Sequence, residues 1–125
     1  MIYKLLILSV GGSLGTTLRF LVYYFFERHQ NSGFPWATLT VNTIGSFIIG
    51  FLWGYFADHY LSPGLRMLIF VGILGSFTTF STFAFDNFSL FRDGEIKEMI
   101  LYLLATNIFG IGLAFSGYYL SKIIA

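Results

Sequence analysis

The stretch "GSFTTFSTF", Gly75 to Phe83, decides how this chain is read. It sits inside a long apolar run, yet five of its nine residues carry hydroxyls, three are phenylalanine and none is charged. A membrane helix absorbs one or two serines or threonines by bonding each hydroxyl back to the carbonyl four residues earlier. Five in nine exceeds that need. Two backbone conformations remain open, a continuous helix and a helix broken near mid-span. Gly75, Ser76, Thr78 and Thr79 are weak helix formers, and their side chains can satisfy the backbone groups that a break frees. A break exposes carbonyls able to hold a cation and leaves donors able to face an anion. Phe80 and Phe83, three apart, then share a face of the following half-helix. Aromatic edges are electropositive and contact an anion without trapping it. The competing reading of both rings is ordinary bundle packing.

Composition gives that stretch its setting. Apolar residues are 56% of the chain and charged ones 10%, with a mean hydropathy of +0.76, whereas globular domains are about one-quarter charged. Four apolar spans run from about Ile2 to Phe26, Trp36 to Phe56, Met67 to Leu90 and Met99 to Leu120, each near the ~20 residues that cross a bilayer. Lipid offers backbone groups no partners, so the spans are expected to be helices. The fold class is therefore all-α, a single transmembrane domain over residues 1–125 with four helices. The connections "ERHQNSGFP", "ADHYLSPGLR" and "FRDGEIKE" are short and polar, and Pro35 and Pro63 fall within them, where they break no helix. A leader cleaved after residue 17 is disfavoured, because the apolar pattern continues past Gly15 to Phe26. A net charge of +1 without a basic cluster argues against a nucleic-acid partner. The absence of cysteine excludes disulfides and thiolate chemistry.

With four spans, Lys4, Arg66 and Lys122 share one side of the membrane, and Arg28, Arg92 and Lys97 the other. Three against three gives the positive-inside rule nothing to act on. Insertion in both orientations with antiparallel pairing is one reading; a single topology with a weak signal is the other.

Small residues recur four apart at Gly11 and Gly15, Ser46 and Gly50, Gly50 and Gly54, Gly72 and Ser76, and Gly112 and Ser116. Such faces let helices approach closely, and they are read here as packing. The polar residues need more. Arg19 lies about two turns inside the first helix, where a charge is costly unless it reaches water, a carbonyl or an acid. Asn42, within "NTIGSFIIG", cannot be left unsatisfied in hydrocarbon. Tyr102 and Thr106, four apart, share a face with Asn107 beside them. Asp86, the only acid inside any span, is open to two readings, a group near a pore mouth or the partner of Arg19. His29 and His59 lie in connections and are read as solvated.

"GGSLGTTLRF", "NTIGSFIIG" and "GILGSFTTFSTF", in this order within four spans, together resemble the signatures of the CrcB/Fluc fluoride channel family. The resemblance covers nearly the whole chain. It implies a dual-topology, antiparallel homodimer in the cell membrane, most simply that of a bacterium, exporting fluoride passively through two antiparallel pores and so protecting the cell from its toxicity. It implies a third helix broken near its middle, and a structural sodium ion at the dimer centre, held by the carbonyls of Gly75 and Thr78. Phe80 and Phe83 become pore phenylalanines facing one anion path from opposite subunits, Asn42 the pore asparagine, and Thr79 a hydroxyl of the pore wall. Arg19 becomes the vestibule arginine, Asp86 the acid after the phenylalanine motif, and Tyr102 and Thr106 the start of a hydroxyl track. Where the family often continues that track with serine, this chain has Gly110, and Asn107 is the candidate to compensate.

The strongest rival is a small multidrug-resistance-type proton-coupled exporter, which needs a carboxylate in its first helix. This first span has none. An enzyme has no support, since paired carboxylates, a nucleophile with a base and a metal cluster are all missing from the sequence pattern.

Overall fold

The computed structural model describes residues 1–124. Among the described residues every regular element is helical. Four helical runs are long and apolar enough to cross a membrane: Ile2–His29, Trp36–Ala57, Pro63–Arg92 and Ile96–Ile124. The chain is an all-α integral membrane protein. Its elements are α1 (Ile2–His29), α2 (Trp36–Ala57), α3 (Pro63–Arg66), a π-helical segment (Met67–Ile73), α4 (Leu74–Phe77), α5 (Phe80–Arg92) and α6 (Ile96–Ile124). The third crossing is thus composite, running from α3 to α5.

The helices extend a few residues beyond the apolar limits read from sequence, and local chemistry explains why. Arg28 and His29 occupy the last turn of α1, where the negative end of the helix dipole favours cations. Pro63 opens α3 at its first turn, and the Ser62 hydroxyl accepts from Leu65 N–H at 3.2 Å, the usual capping arrangement. Between α5 and α6 the chain reverses at Gly94, whose φ of +77° is left-handed backbone that glycine adopts at least cost. Glu95 N–H then closes on the Leu90 carbonyl at 2.8 Å, satisfying one of the carbonyls that a helix end leaves open.

Two seams hold the bundle. Along the first, α1 lies on the π segment and α4. Gly11 meets Gly72 so closely that a Cβ on either would stand 2.9 Å from the other's Cα. Along the second, α2 runs against α6, with Gly50 on the Ala114 backbone, Gly54 on Ser121, and Gly117 on the Phe47 carbonyl. Dispersion between close backbones drives helix association in lipid, which is why glycines line both seams. The α6 packing face is Gly110, Ala114, Gly117 and Ser121, and not the Gly112–Ser116 pair. A Cβ on Gly112 would meet nothing within 4 Å, and the Ser116 hydroxyl bonds back to the Gly112 carbonyl at 2.8 Å.

α5 rests on α6 and touches α2. Phe83, Leu90 and Tyr102 form a small core there, with Phe34, Leu39 and Met99 packed around it. Large apolar side chains cover most of the outer surface, as contact with lipid requires. At one end of the bundle Lys122 Nζ donates to Asp58 Oδ2 at 2.8 Å; at the other, Arg92 pairs with the adjacent Asp93 at 3.2 Å.

Candidate functional site

The helix of the third crossing runs through Gly75 and Ser76 and stops after Phe77. Thr78 (φ −85°, ψ 157°) and Thr79 (φ −151°, ψ 115°) are extended, and α5 starts at Phe80. Two successive β-branched residues have lowered helix propensity, and the second serves as a cap, its Oγ1 accepting from Thr82 N–H at 3.2 Å.

Several of the backbone groups freed by this interruption find new partners in side chains. In an unbroken helix Thr79 N–H would bond to the Gly75 carbonyl. Here it donates to Asn42 Oδ1 at 2.8 Å, while Asn42 Nδ2 donates to the Thr79 carbonyl at 3.1 Å. The Ser76 carbonyl, the helical partner of Phe80 N–H, accepts instead from Arg19 Nε at 3.1 Å. That bond explains how a guanidinium is tolerated so far inside the first span: it replaces a missing backbone donor. Thr82 N–H, the helical partner of the Thr78 carbonyl, is taken by the Thr79 hydroxyl. The carbonyls of Gly75 and Thr78 are thereby parted from their helical donors.

Beside the interruption lies an open groove of about 360 Å³. Its wall brings together Asn42, Thr79, Phe80, Phe83 and Thr106, along with Gly75 and Thr78, and carries no charged side chain. Phe80 is 78% exposed and Phe83 only 8%, their ring centroids 5.7 Å apart at 51°. Thr106 Oγ1 is buried without a hydrogen-bond partner. Asn42 uses one of its two amide hydrogens on Thr79 and keeps the other. At the first turn of α5, the amides of Phe80 and Ser81 have no partner within the helix.

Tyr102 and Asp86 are not part of this wall but lie directly behind it. Tyr102 is fully buried behind Phe83, with ring centroids 5.1 Å apart, and its hydroxyl donates to Asp86 Oδ2 at 2.9 Å. The reading of Asp86 as the ion-pair partner of Arg19 is corrected: among the described residues neither side chain forms a salt bridge. A carbonyl and a hydroxyl satisfy the two charges separately. Asn107 donates to the Leu103 carbonyl at 2.8 Å. Gly110 is buried facing Ser46, whose Oγ would be 3.7 Å from a Cβ at Gly110.

Two polar contributors, Thr38 and Tyr23, escape the sequence reading, and a third, Ser46, enters it only as a packing residue. Ser46 lines the groove. Thr38 and Tyr23 share a short hydroxyl–hydroxyl bond of 2.5 Å next to Asp86 and Tyr102. The signals existed, since Thr38 and Ser46 lie four residues either side of Asn42 and Tyr23 four beyond Arg19, each on the same helical face. Outside the spans, hydrogen bonding to Lys122 holds the Asp58 carboxyl below the usual carboxylate range, and the neighbouring Glu98 pushes Glu95 above it.

A sequence model described as "CrcB-like protein, Camphor Resistance (CrcB)" matches residues 6–118. The chain belongs to the CrcB family. It is similar to the "Fluoride-specific ion channel FluC" of Aquifex aeolicus, 42% identical over 115 residues, which cover 91% of this chain and 93% of the relative. It is 43% identical over 119 residues to the protein of that name from Parabacteroides distasonis, covering 95% and 93%. A third, from Thermus thermophilus, is 38% identical over 115 residues, covering 92% of each chain. The match spans all four crossings and includes the interruption, the groove and Arg19.

Proposed function

We propose that this protein is a fluoride-specific channel, conducting the ion passively out of the cytoplasm along the groove beside the interrupted helix. Its relatives carry that function in their names. The observation that carries the reading on this chain is a groove wall rich in donors and ring edges and free of charged side chains. Fluoride is small and strongly hydrated, so it enters protein only where donors replace its water. The unpartnered Thr106 hydroxyl, the spare Asn42 hydrogen and the first amides of α5 supply them. A lysine or arginine on the wall would hold the ion too tightly, and a carboxylate would repel it. A helix N-terminus adds a fixed positive potential.

The working unit is read as an antiparallel homodimer with two pores, supported by the balanced cations at the two ends of the bundle. Phe80, so widely exposed in one chain, then faces the path formed with the partner, while Phe83 lines it from within. The carbonyls of Gly75 and Thr78 fit a structural sodium ion. They lie at the C-terminal end of a helical run, where the dipole favours a cation, they have lost their helical donors, and neutral oxygens suit a monovalent ion better than magnesium, which keeps its waters. Efflux of fluoride and of chloride from liposomes holding the purified protein is the test. Fluoride release well above that of protein-free vesicles, with chloride retained, is expected; equal release of both anions, or of neither, would refute the reading.

A further inference from the structure

Asp86 and Tyr102 are joined in a way that bears on when the channel conducts. A tyrosine hydroxyl has one hydrogen, and here it goes to the Asp86 carboxylate. Bonds to an ionised acceptor are about twice as strong as neutral ones, so an anion competes poorly for that hydrogen. The Tyr102 ring itself packs directly on Phe83 of the groove wall, centroids 5.1 Å apart. Thr106, one turn further along α6, has a hydroxyl with no partner. Two hydroxyls on one helical face therefore differ: one is available to an anion, the other withheld by a charge.

We propose that Asp86 is a proton-operated stop on Tyr102, withholding its hydroxyl from the anion path when ionised and releasing it when protonated. This rests on the reading of the groove as a fluoride path. The proton is taken from bulk water and adds to a carboxylate oxygen; no other bond is made or broken. Two changes then act in one direction. Asp86 ceases to repel the anion, and Tyr102 regains a donor that can turn towards it.

A route for the proton exists. A cavity of about 100 Å³ runs beside Asp86 and is bounded by Pro35, Ser89 and Asp93, residues of or next to the connections at that end of the bundle. Asp86, Ser89 and Asp93 give it polar walls, and it is large enough for more than one water. The groups facing Asp86 are few. From α6 it meets Tyr102. From α2 the non-titrating Thr38 stands beside it, its hydroxyl oriented by Tyr23 of α1. Arg19, on the same face of α1, is engaged by the Ser76 carbonyl. Asp93, across the cavity, is paired with Arg92. Among the described residues no cation forms a salt bridge with Asp86 to hold it ionised. Tyr23 is a positioning residue in this arrangement, since it fixes the Thr38 hydroxyl and touches no part of the groove.

The experiment is fluoride efflux from proteoliposomes across a pH series, corrected for protein-free vesicles because protonated fluoride crosses lipid unaided. Wild-type flux should rise as pH falls, by about fivefold or more, the low end of measured coupling between sites. Asp86→Asn, neutral at every pH, should give the high flux throughout. Tyr102→Phe keeps the ring behind Phe83 and the charge of Asp86, and should lose most of the low-pH gain. A flat wild-type profile would overturn the proposal, as would an Asp86→Asn profile that follows the wild type. If Asp86→Asn fails to assemble, Tyr102→Phe decides alone, and an undiminished pH response there would also overturn it. Absence of fluoride flux at every pH would instead remove the channel reading itself.

Discussion

Asn42 and Thr79 exchange two hydrogen bonds, the amide oxygen accepting from the backbone N–H at 2.8 Å and the amide nitrogen donating to the carbonyl at 3.1 Å. One side chain thereby does for the extended residue what a neighbouring strand does in a sheet. It also fixes where α5 begins. Asn42→Asp keeps the acceptor but loses the donor and adds a negative charge on the groove. Fluoride flux should fall by at least tenfold, about 1.4 kcal/mol of added barrier. Asn42→Ala should destabilise the fold by about 1–3 kcal/mol, because it leaves the Thr79 backbone unpaired. Flux through purified Asn42→Asp at the wild-type rate would refute the assignment.

The two phenylalanines should separate stability from conduction. Phe83 is buried against Tyr102, so Phe83→Ile should cost about 1–3 kcal/mol as the ring's shape is lost. Phe80 is exposed in the single chain, so Phe80→Ile should leave the fold of one chain nearly unchanged. Both should reduce fluoride efflux, since isoleucine keeps the apolar bulk and lacks the electropositive edge. Wild-type efflux in either well-folded variant would return that ring to a packing role.

Much of this was legible in the sequence, and the limits have physical reasons. The four crossings follow from hydropathy because lipid leaves the backbone only one way to satisfy itself. The hydroxyl density of Gly75 to Phe83 marked the right segment. It did not give the dihedral positions: Gly75 and Ser76 stay helical, and the extended pair is Thr78 and Thr79, because Asn42 from another helix selects them. Arg19 needs a carbonyl, an acid or water at its depth in the span, and only tertiary structure selects the Ser76 carbonyl. The π segment left no trace in the residue pattern, since "MLIFVGI" reads equally well as α-helix. The Tyr23–Thr38 bond was hidden for the same reason as the choice of Asn42: periodicity fixes a face, not the partner that faces it.

Orientation should be easy to bias. Each end of the bundle carries three cations, one of them in an ion pair, Lys122 with Asp58 and Arg92 with Asp93. Adding two or three lysines at the N-terminus should hold that terminus in the cytoplasm. Such a variant alone should lose activity, and co-expression with an oppositely biased one should restore it. Full activity from one strongly biased variant would count against antiparallel pairing.

Removal of sodium should loosen the assembly. If the Gly75 and Thr78 carbonyls hold the ion at the dimer centre, exchanging sodium for a bulky organic cation leaves their oxygens unpaired there. The unfolding midpoint should drop by several degrees, about what 1 kcal/mol of lost stability produces in a chain of this size. Thermal unfolding in detergent measures it, and an unchanged midpoint across sodium concentrations would argue that the carbonyls are satisfied otherwise.

The two glycine seams share no residue. Gly11, Gly15 and Gly72 close one; Gly50, Gly54 and Gly117 close the other. Evolution can therefore retune either half of the bundle almost independently, provided each line of bare backbone is kept. The element left over is α5, which belongs to neither seam, carries Phe80, Phe83 and Asp86, and is tied in by side chains. Its place therefore depends on Phe83 and Leu90 packing on Tyr102, so a change in those side chains moves the conducting residues without disturbing either seam.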